Sequence, residues 1–309
     1  MKIIKPKFWD KSYPTLYSLI LWPISQLYRL IIFLKSFFIN NKKFSVPIIC
    51  VGNIYIGGTG KTPLSIKISE LLQNERKPVI LKKNYKNHVD EIELIKKYSK
   101  IIVCDKRESG INTALNKNYD VVILDDGYQD HSIKKDLNII CFNDAQKIGN
   151  GQTFPAGPLR ENLSTLINCN IVMINGKKNI QFEEKLRKYK RNLEFFYFNY
   201  KLKNFEQFKN KKLICFAGIG NPQNFFDLLK ANRLNVIKEI SFPDHYKYSE
   251  KELEELIDLE KKYNAKLVTT EKDYLRINPF NRRRFGVINV KVNIQRENEI
   301  FKFLEEVFK

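Results

Sequence analysis

Apolar and polar positions alternate along this chain in a regular rhythm. Short apolar blocks rich in β-branched residues stand at 46–52, 78–84, 100–105, 120–126, 137–142 and 170–176. Blocks that are apolar on both faces predict buried parallel strands. The polar stretches between them include an amphipathic pattern around 63–74, which predicts a helix. Strand and helix in repeated alternation predict an α/β fold: a mostly parallel sheet flanked by helices. From 177 to 203 the chain is rich in Lys, Asn and Tyr and less regular, which predicts a connector carrying one or two strands. A second alternating block opens with KLICFAGIGNP (212–222). It continues through a helix near 224–231, the strand VIKEISF, a Lys/Glu-rich helix after Ser249 and the strand AKLVTT (265–270). The pattern therefore predicts a larger α/β domain over 44–195 and a smaller one over 196–309.

Residues 1–43 form a third region, attached to the first domain. Here 13–39 reads YPTLYSLILWPISQLYRLIIFLKSFFI, with Pro23 interrupting it and Gln26, Arg29 and Lys35 punctuating it. No unbroken apolar run approaches the roughly 18–20 residues that cross a bilayer. Flanking Lys2, Lys5, Lys7, Lys11, Lys42 and Lys43, with Trp9, Trp22 and several tyrosines, suit amphipathic helices lying in the headgroup layer. The alternative is a helical pair packed on the core. The expectation is monotopic attachment and no spanning segment.

Charge adds a partner class. Lys and Arg number 54 against 34 Asp and Glu, a formal net charge of +20. A chain so basic suits an anionic partner: nucleic acid, a phosphorylated metabolite or acidic lipid. The lysines are spread over the whole chain and accompany no nucleic-acid module, which excludes nucleic acid as the first choice. The five cysteines are scattered with no C-x-x-C pair, as expected of small buried thiols in a reducing compartment.

The sharpest chemical signal is Gly57-Gly58-Thr59-Gly60-Lys61-Thr62, set between a buried strand and a helix. Glycines there let backbone N–H groups cradle phosphates, Lys61 reaches the outer oxygens and the Thr62 hydroxyl suits Mg²⁺. The strict spacing would place glycine at 55, where this chain has Tyr55. The strand VVIL then delivers Asp125 and Asp126 at its carboxyl end, where one carboxylate can hold Mg²⁺ and its neighbour can orient it. The pair of signals predicts a Mg-nucleotide enzyme or switch that uses ATP.

Six segments in order carry a family resemblance: VGNIYIGGTGKTP (51–63), LDDGYQ (124–129), NGQTFPAGPLRE (150–161), FAGIGNPQNFF (216–226), FPDHYKYS (242–249) and TTEKD (269–273). Together they closely resemble the tetraacyldisaccharide 4′-kinases, the lipid A 4′-kinases of Gram-negative bacteria. The resemblance implies a two-domain, P-loop, membrane-surface kinase on the cytoplasmic face of the inner membrane. It would move the γ-phosphate of ATP to the 4′-hydroxyl of a tetraacylated glucosamine disaccharide 1-phosphate, giving lipid IVA. No nucleic acid and no obligate protein partner are implied. Family phosphate loops also tend to lack the first glycine, so Tyr55 fits.

The resemblance also implies roles. Lys61 and Thr62 match the phosphate-loop pair, and Asp125 with Asp126 the Mg²⁺-associated carboxylates. His245 falls on the histidine that acts with an aspartate to activate the hydroxyl. That aspartate, in a G-D-E motif, matches Asp90 in Val89-Asp90-Glu91, with Glu91 beside it as a further metal-associated residue. The family's S-R-G-Y-G appears as Lys82-Lys83-Asn84-Tyr85-Lys86, where Lys83 keeps the charge and Tyr85 the ring. The family's D-D-G-x-Q-H reads DDGYQD, with Asp130 in place of histidine and His131 one step late. Lys83, Tyr85, Arg107, Gln129 and Arg160 are the expected substrate contacts, with an ion pair to Glu161 as the alternative for Arg160. On this reading the second domain closes to bring His245 to the sugar. The rival reading is a membrane-associated ATPase switch of the partitioning type, which also uses G-G-x-G-K-T; such proteins usually carry lysine before the double glycine, where this chain has Ile56.

Overall fold

The computed structural model describes residues 5–85 and 88–308. Lys2 and Lys86, named above, lie outside them. In chain order the elements are α1 (Leu16–Phe37), β1 (Ile48–Gly52), α2 (Lys61–Leu72), β2 (Pro78–Lys83), α3 (Val89–Tyr98), β3 (Ile101–Cys104), α4 (Arg107–Asn116) and β4 (Val121–Asp125). Then come β5 (Leu137–Asn143), β6 (Ile171–Asn175), α5 (Ile180–Arg187) and β7 (Glu194–Lys203). The rest are β8 (Lys212–Ala217), α6 (Pro222–Ala231), β9 (Asn235–Ser241), α7 (Glu250–Tyr263), β10 (Lys266–Thr270), α8 (Glu271–Arg276), α9 (Pro279–Arg282), β11 (Gly286–Ile294) and α10 (Glu297–Glu306).

Two compact units result. The first takes the chain through Lys83, Ser99–Asn199 and the residues from Ile294 on; the second takes Asn84–Tyr98 and Tyr200–Asn293. This differs from a single boundary after 195 in two places. Asn84–Tyr98 leaves the first unit for the second, and the C-terminal helix returns to the first. Both exchanges are tertiary events with no composition shift to announce them.

In the first unit β3, β2, β4, β1, β5, β6 and β7 lie side by side in that order, every pair parallel. Strands β1 and β4 are buried along their whole length, as uninterrupted apolar blocks require. Their carboxyl ends converge: Val51 is in register with Asp125 on one side, and Lys82 of β2 with Asp125 on the other. In the second unit the order is β11, β10, β8, β9, again all parallel. Along β8 the period of two is visible in the packing. Leu213, Cys215 and Ala217 join Phe225, Phe226 and Leu229 on one face, while Ile214 and Phe216 join Leu253, Leu256 and Ile257 on the other. β11 had no counterpart in the hydropathy reading, because its alternating GVINVKVNI is half-buried and carries Asn and Lys between its apolar positions. All five cysteines are free, four of them buried and Cys104 half-buried.

The N-terminal segment corrects one expectation. Pro23 sits inside α1, yet the helix runs unbroken for 22 residues. A proline removes one backbone hydrogen bond and frees one carbonyl. By length and composition α1 is able to cross a membrane. Its attachment is nonetheless one-sided. Ser18 accepts from Asn150 Nδ2 at 2.9 Å, Ser25 accepts from Ala156 N at 2.9 Å and donates to Thr153 O at 3.0 Å, and Tyr28 donates to Arg160 O at 3.1 Å. Away from this polar seam, Leu16, Leu19, Ile20, Trp22, Leu27 and Ile31 are exposed. The helix thus turns its small polar residues inward and its apolar ones outward, the reverse of a surface helix in a water-soluble fold.

Candidate active site

The phosphate loop is built between β1 and α2. Gly57 and Gly60 have φ of 139° and 96°, and Gly60 forms the N-cap of α2. Such backbone is open to glycine and strained for other residues. Asn53, fully buried, ties the loop from within: its Nδ2 bonds Tyr55 O at 2.6 Å and Thr59 Oγ1 at 3.1 Å. Its Oδ1 is buried and has no hydrogen-bond partner among the described residues, an acceptor left over at the loop's base. The loop's outer wall is the Gly-Pro segment 154–161. Ile56 N bonds Pro158 O at 2.8 Å and Arg160 N bonds Ile54 O at 2.7 Å. Tyr55, where the strict motif wants glycine, is fully buried and its hydroxyl donates to Asp10 at 2.5 Å, so it anchors the loop instead of lining it.

The two expected carboxylates have separate surroundings. Asp125 Oδ2 accepts from Thr62 Oγ1 at 3.0 Å and from Lys82 Nζ at 2.5 Å, while Oδ1 accepts from Ser65 Oγ at 3.0 Å. Asp126 follows in left-handed backbone, φ 58°, and accepts from Arg160 Nη1 at 2.9 and 3.1 Å. Lys61 Nζ stands 3.8 Å from its Oδ1. Burial alone would raise the Asp126 carboxyl, but Lys61 and then Arg160 outweigh it and hold the group at about 2. Arg160 therefore pairs with Asp126, and Glu161 instead meets His131 Nε2 at 3.0 Å. Gln129 links the two parts, donating to Asn53 O at 2.7 Å and lying 3.4 Å from Arg160 Nη1. Arg107 is buried and occupied within the fold, donating to Asp130 Oδ2 at 2.9 Å and to Asp126 O at 2.7 Å. Asp130 thus supplies this arginine's counter-charge.

The second constellation lies wholly in the second unit. His245 has φ 55° and its N–H donates to Gly218 O at 3.1 Å. Its Nδ1 is 3.5 Å from Asp90 Oδ1, beyond hydrogen-bond length. The ring stacks on His88 at 5.0 Å between centroids with planes 4° apart, and His88 lies 5.1 Å from the Tyr85 ring. Tyr85 is therefore connected to the candidate base through His88. Asp90 is gripped from the other side: Arg276 donates to its Oδ2 from Nε at 3.0 Å and Nη2 at 2.6 Å. Burial would raise Asp90, but His245, Arg276 and Lys272 in turn lower it, to about 2. Glu91, expected near the metal, is paired with Lys272 at 2.6 Å. Lys83 ends β2, beside Cys104.

Sequence reasoning missed the residues that hold these groups. Arg276 also contacts Gly218 O and Asp273 Oδ1, and Asp273 accepts from Gly218 N at 3.0 Å and Tyr248 OH at 2.8 Å. The FAGIG and TTEKD segments, quoted above without a role, meet here around His245 and Asp90. Arg276 stands one helical turn after Asp273, and that spacing was the available signal. Lys82 was passed over because a lysine in an apolar run reads as a strand end. Among the described residues no group of three or more His, Cys, Asp or Glu could hold a metal by itself.

Comparison with known proteins gives the chain a family. The family profile for tetraacyldisaccharide-1-P 4′-kinase (LpxK) matches residues 17–99 and 89–309. The chain is 41% identical over 307 residues to the tetraacyldisaccharide 4′-kinase of Pelagibacter ubique, covering 97% of this chain and 96% of that one. It is 32% identical over 327 aligned positions to the Rickettsia bellii enzyme of the same name, covering 100% and 99%. Among solved structures it is similar to the "apo" form of LpxK from Aquifex aeolicus in complex with ATP. That match has TM-score 0.74 and 26% identity, over 95% of this chain and 100% of the other. With the phosphate loop, its paired carboxylates and the Asp90–His245 pair in place, this chain belongs to the tetraacyldisaccharide-1-P 4′-kinase family.

Proposed function

We propose that the chain transfers the γ-phosphoryl group of ATP to the 4′-hydroxyl of a tetraacylated disaccharide 1-phosphate, working at the cytoplasmic face of the bacterial inner membrane. The observation that carries the reading is the presence in one family member of both halves of the chemistry. One unit holds a glycine loop with Lys61, Thr62, Asp125 and Asp126; the other holds a histidine beside an ionised aspartate.

Loop N–H groups and the α2 terminus bind the phosphates of ATP, and Lys61 offsets charge on the transferring group. His245 takes the proton of the 4′-hydroxyl at Nε2, with Nδ1 turned to Asp90, which stabilises the imidazolium that forms. The oxygen then bonds the γ-phosphorus as the bond to the β-γ bridging oxygen breaks, and ADP leaves with that electron pair. Mg²⁺ fits this site: Thr62, Asp125 and Asp126 are hard oxygen donors, too few to cage a resident ion and suited to one shared with phosphates. When bound, the ion would supply charge neutralisation at the nucleotide's phosphates. Arg160, Gln129, Lys83 and Tyr85 remain the proposed substrate side of the site, whereas Arg107 acts through Asp130.

Attachment to the membrane rests on α1. Its seam against residues 150–160 occupies one face from Ser18 to Tyr28, so that stretch is not surrounded by lipid. This supports a helix lying in the interface with Trp22 and its apolar neighbours in the acyl boundary. The test is transfer of γ-³²P from ATP to tetraacyldisaccharide 1-phosphate in detergent micelles, with Lys61→Ala in parallel. Label in the lipid that vanishes in the variant supports the reading; ATP binding without lipid labelling overturns it.

A further inference from the structure

The first unit already contains a cation on the carboxylate where family members are expected to use magnesium. Lys82 and Asp125 are register partners on adjacent parallel strands, so the backbone itself sets them side by side. Nζ lies 2.5 Å from Oδ2, with side-chain exposures of 3% and 0%. Asp125 also accepts from the Thr62 and Ser65 hydroxyls, each at 3.0 Å. Two carboxylates, Asp125 and Asp126, thus face three cations: Lys82, Lys61 and Arg160. Among the described residues in these ion pairs the cations outnumber the carboxylates. A divalent ion coming alone meets like charge and a carboxylate with three of its roughly four acceptor positions filled, whereas a nucleotide's phosphates meet a complementary field.

We propose that Lys82 is a tethered cation that occupies Asp125 in the nucleotide-free enzyme, so that divalent metal enters this site only together with nucleotide. The proposal rests on the phosphate-site reading above and assigns Lys82 a positioning role. It holds Asp125, and through it the Thr62 hydroxyl, in place until Mg·ATP binds.

The test is Mn²⁺ binding to the nucleotide-free chain in micelles, followed by electron paramagnetic resonance and by thermal unfolding against Mg²⁺. The parent is expected to bind no Mn²⁺ below about 1 mM and to show a melting temperature indifferent to Mg²⁺. Lys82→Ser removes the competing charge and leaves Asp125 with its hydroxyl partners. It is expected to bind Mn²⁺ at least about tenfold more tightly than the parent and to gain melting temperature as Mg²⁺ rises. Micromolar Mn²⁺ binding by the parent overturns the proposal without any variant. So does a Lys82→Ser protein whose Mn²⁺ affinity matches the parent's. Should the serine variant not fold, the parent titration decides, and Lys82→Met offers a bulkier neutral replacement. Failure of lipid labelling would count against the kinase reading and leave the metal measurement interpretable.

Discussion

The phosphate site and the base site are held together in opposite ways. Around Asp125 and Asp126 every carboxylate oxygen already has a partner, and the partners include three cations. Around His245 the framework is just as dense, with Arg276, Asp273 and Gly218 interlocked, but the imidazole itself stands 3.5 Å from its carboxylate. One site stores charge that an incoming anion must reorganise. The other keeps a rigid frame around a single group that still has to tighten. Catalytic hydrogen bonds are often loose without substrate, so the long His245–Asp90 distance suits a base awaiting its hydroxyl. The difference predicts that damage to the first site costs binding and chemistry together, while damage to the second costs chemistry alone.

Lys61→Ala is the harshest way to break that comparison. It removes the ammonium 3.8 Å from Asp126 and, on the proposed mechanism, the main countercharge for the transferring phosphoryl group. Turnover is expected to fall below detection, with weaker ATP binding by equilibrium dialysis. Unchanged ATP affinity would mean that the loop N–H groups carry binding by themselves. His245→Ala comes next. A general base contributes about 10³-fold, so kcat should drop by that order while ATP affinity stays at the parental value. Parental turnover in this variant would remove His245 from the reaction.

Arg276→Gln sharpens the comparison, because Arg276 touches Asp90 and the Gly218 carbonyl but belongs to the frame. The expected loss is about tenfold to a hundredfold in kcat with little change in KM, partly restored by Arg276→Lys. A pH dependence accompanies it. Asp90 sits at about 2 in the folded chain against an ordinary 3.8. Its depressed value stabilises the fold above pH 4, and that contribution disappears as pH falls from about 4 to 2. Removing the guanidinium raises the carboxyl toward its ordinary value. The stability gap between parent and variant should therefore be widest near neutrality and close through that acid window. A gap independent of pH would show that Arg276 acts by packing alone.

How far the sequence could be read follows the same division. Strand blocks such as 120–126 and the glycine loop announce themselves locally, since buried parallel strands and phosphate loops impose composition on consecutive residues. The cluster of Lys61, Thr62 and the two aspartates, which the structure brings together, was legible for that reason. Asp90 and His245, 155 positions apart, were reached through the family resemblance, as no local pattern links a helix start to a distant loop. The partners of Lys82, Arg276 and Asp273 were not legible in either way, because strand register and helix docking assign them. The same holds for α3: its acidic first turn, Asp90 and Glu91, meets Arg276 and Lys272 of α8, while Lys97 at its other end meets Glu271. Complementary charge along two short helices pairs them, and neither helix shows it alone. The partitioning-switch reading falls with family membership, since these partners serve residues that a simple ATPase switch does not need.

The mildest perturbation concerns the seam that joins α1 to the phosphate-loop wall. Tyr28→Phe deletes one hydrogen bond, to the carbonyl of Arg160, and leaves the ring against Phe154 at 5.8 Å between centroids. The net worth of such a bond is about 1 kcal/mol, so the melting temperature should fall by only a few degrees. Binding to anionic vesicles should stay at the parental level, because the exposed apolar face is untouched. Leu27→Asp, on that outer face, should do the reverse and weaken vesicle binding while sparing the fold. Arg160 gives the pair of variants its force. Its backbone carbonyl receives the Tyr28 bond while its guanidinium holds Asp126, so the seam and the phosphate site share one residue. If Tyr28→Phe also weakened ATP binding, the seam would be part of what positions Arg160. If ATP binding were unaffected, the loop 154–161 would hold Arg160 without help from α1, through its backbone bonds to Ile54 and Ile56.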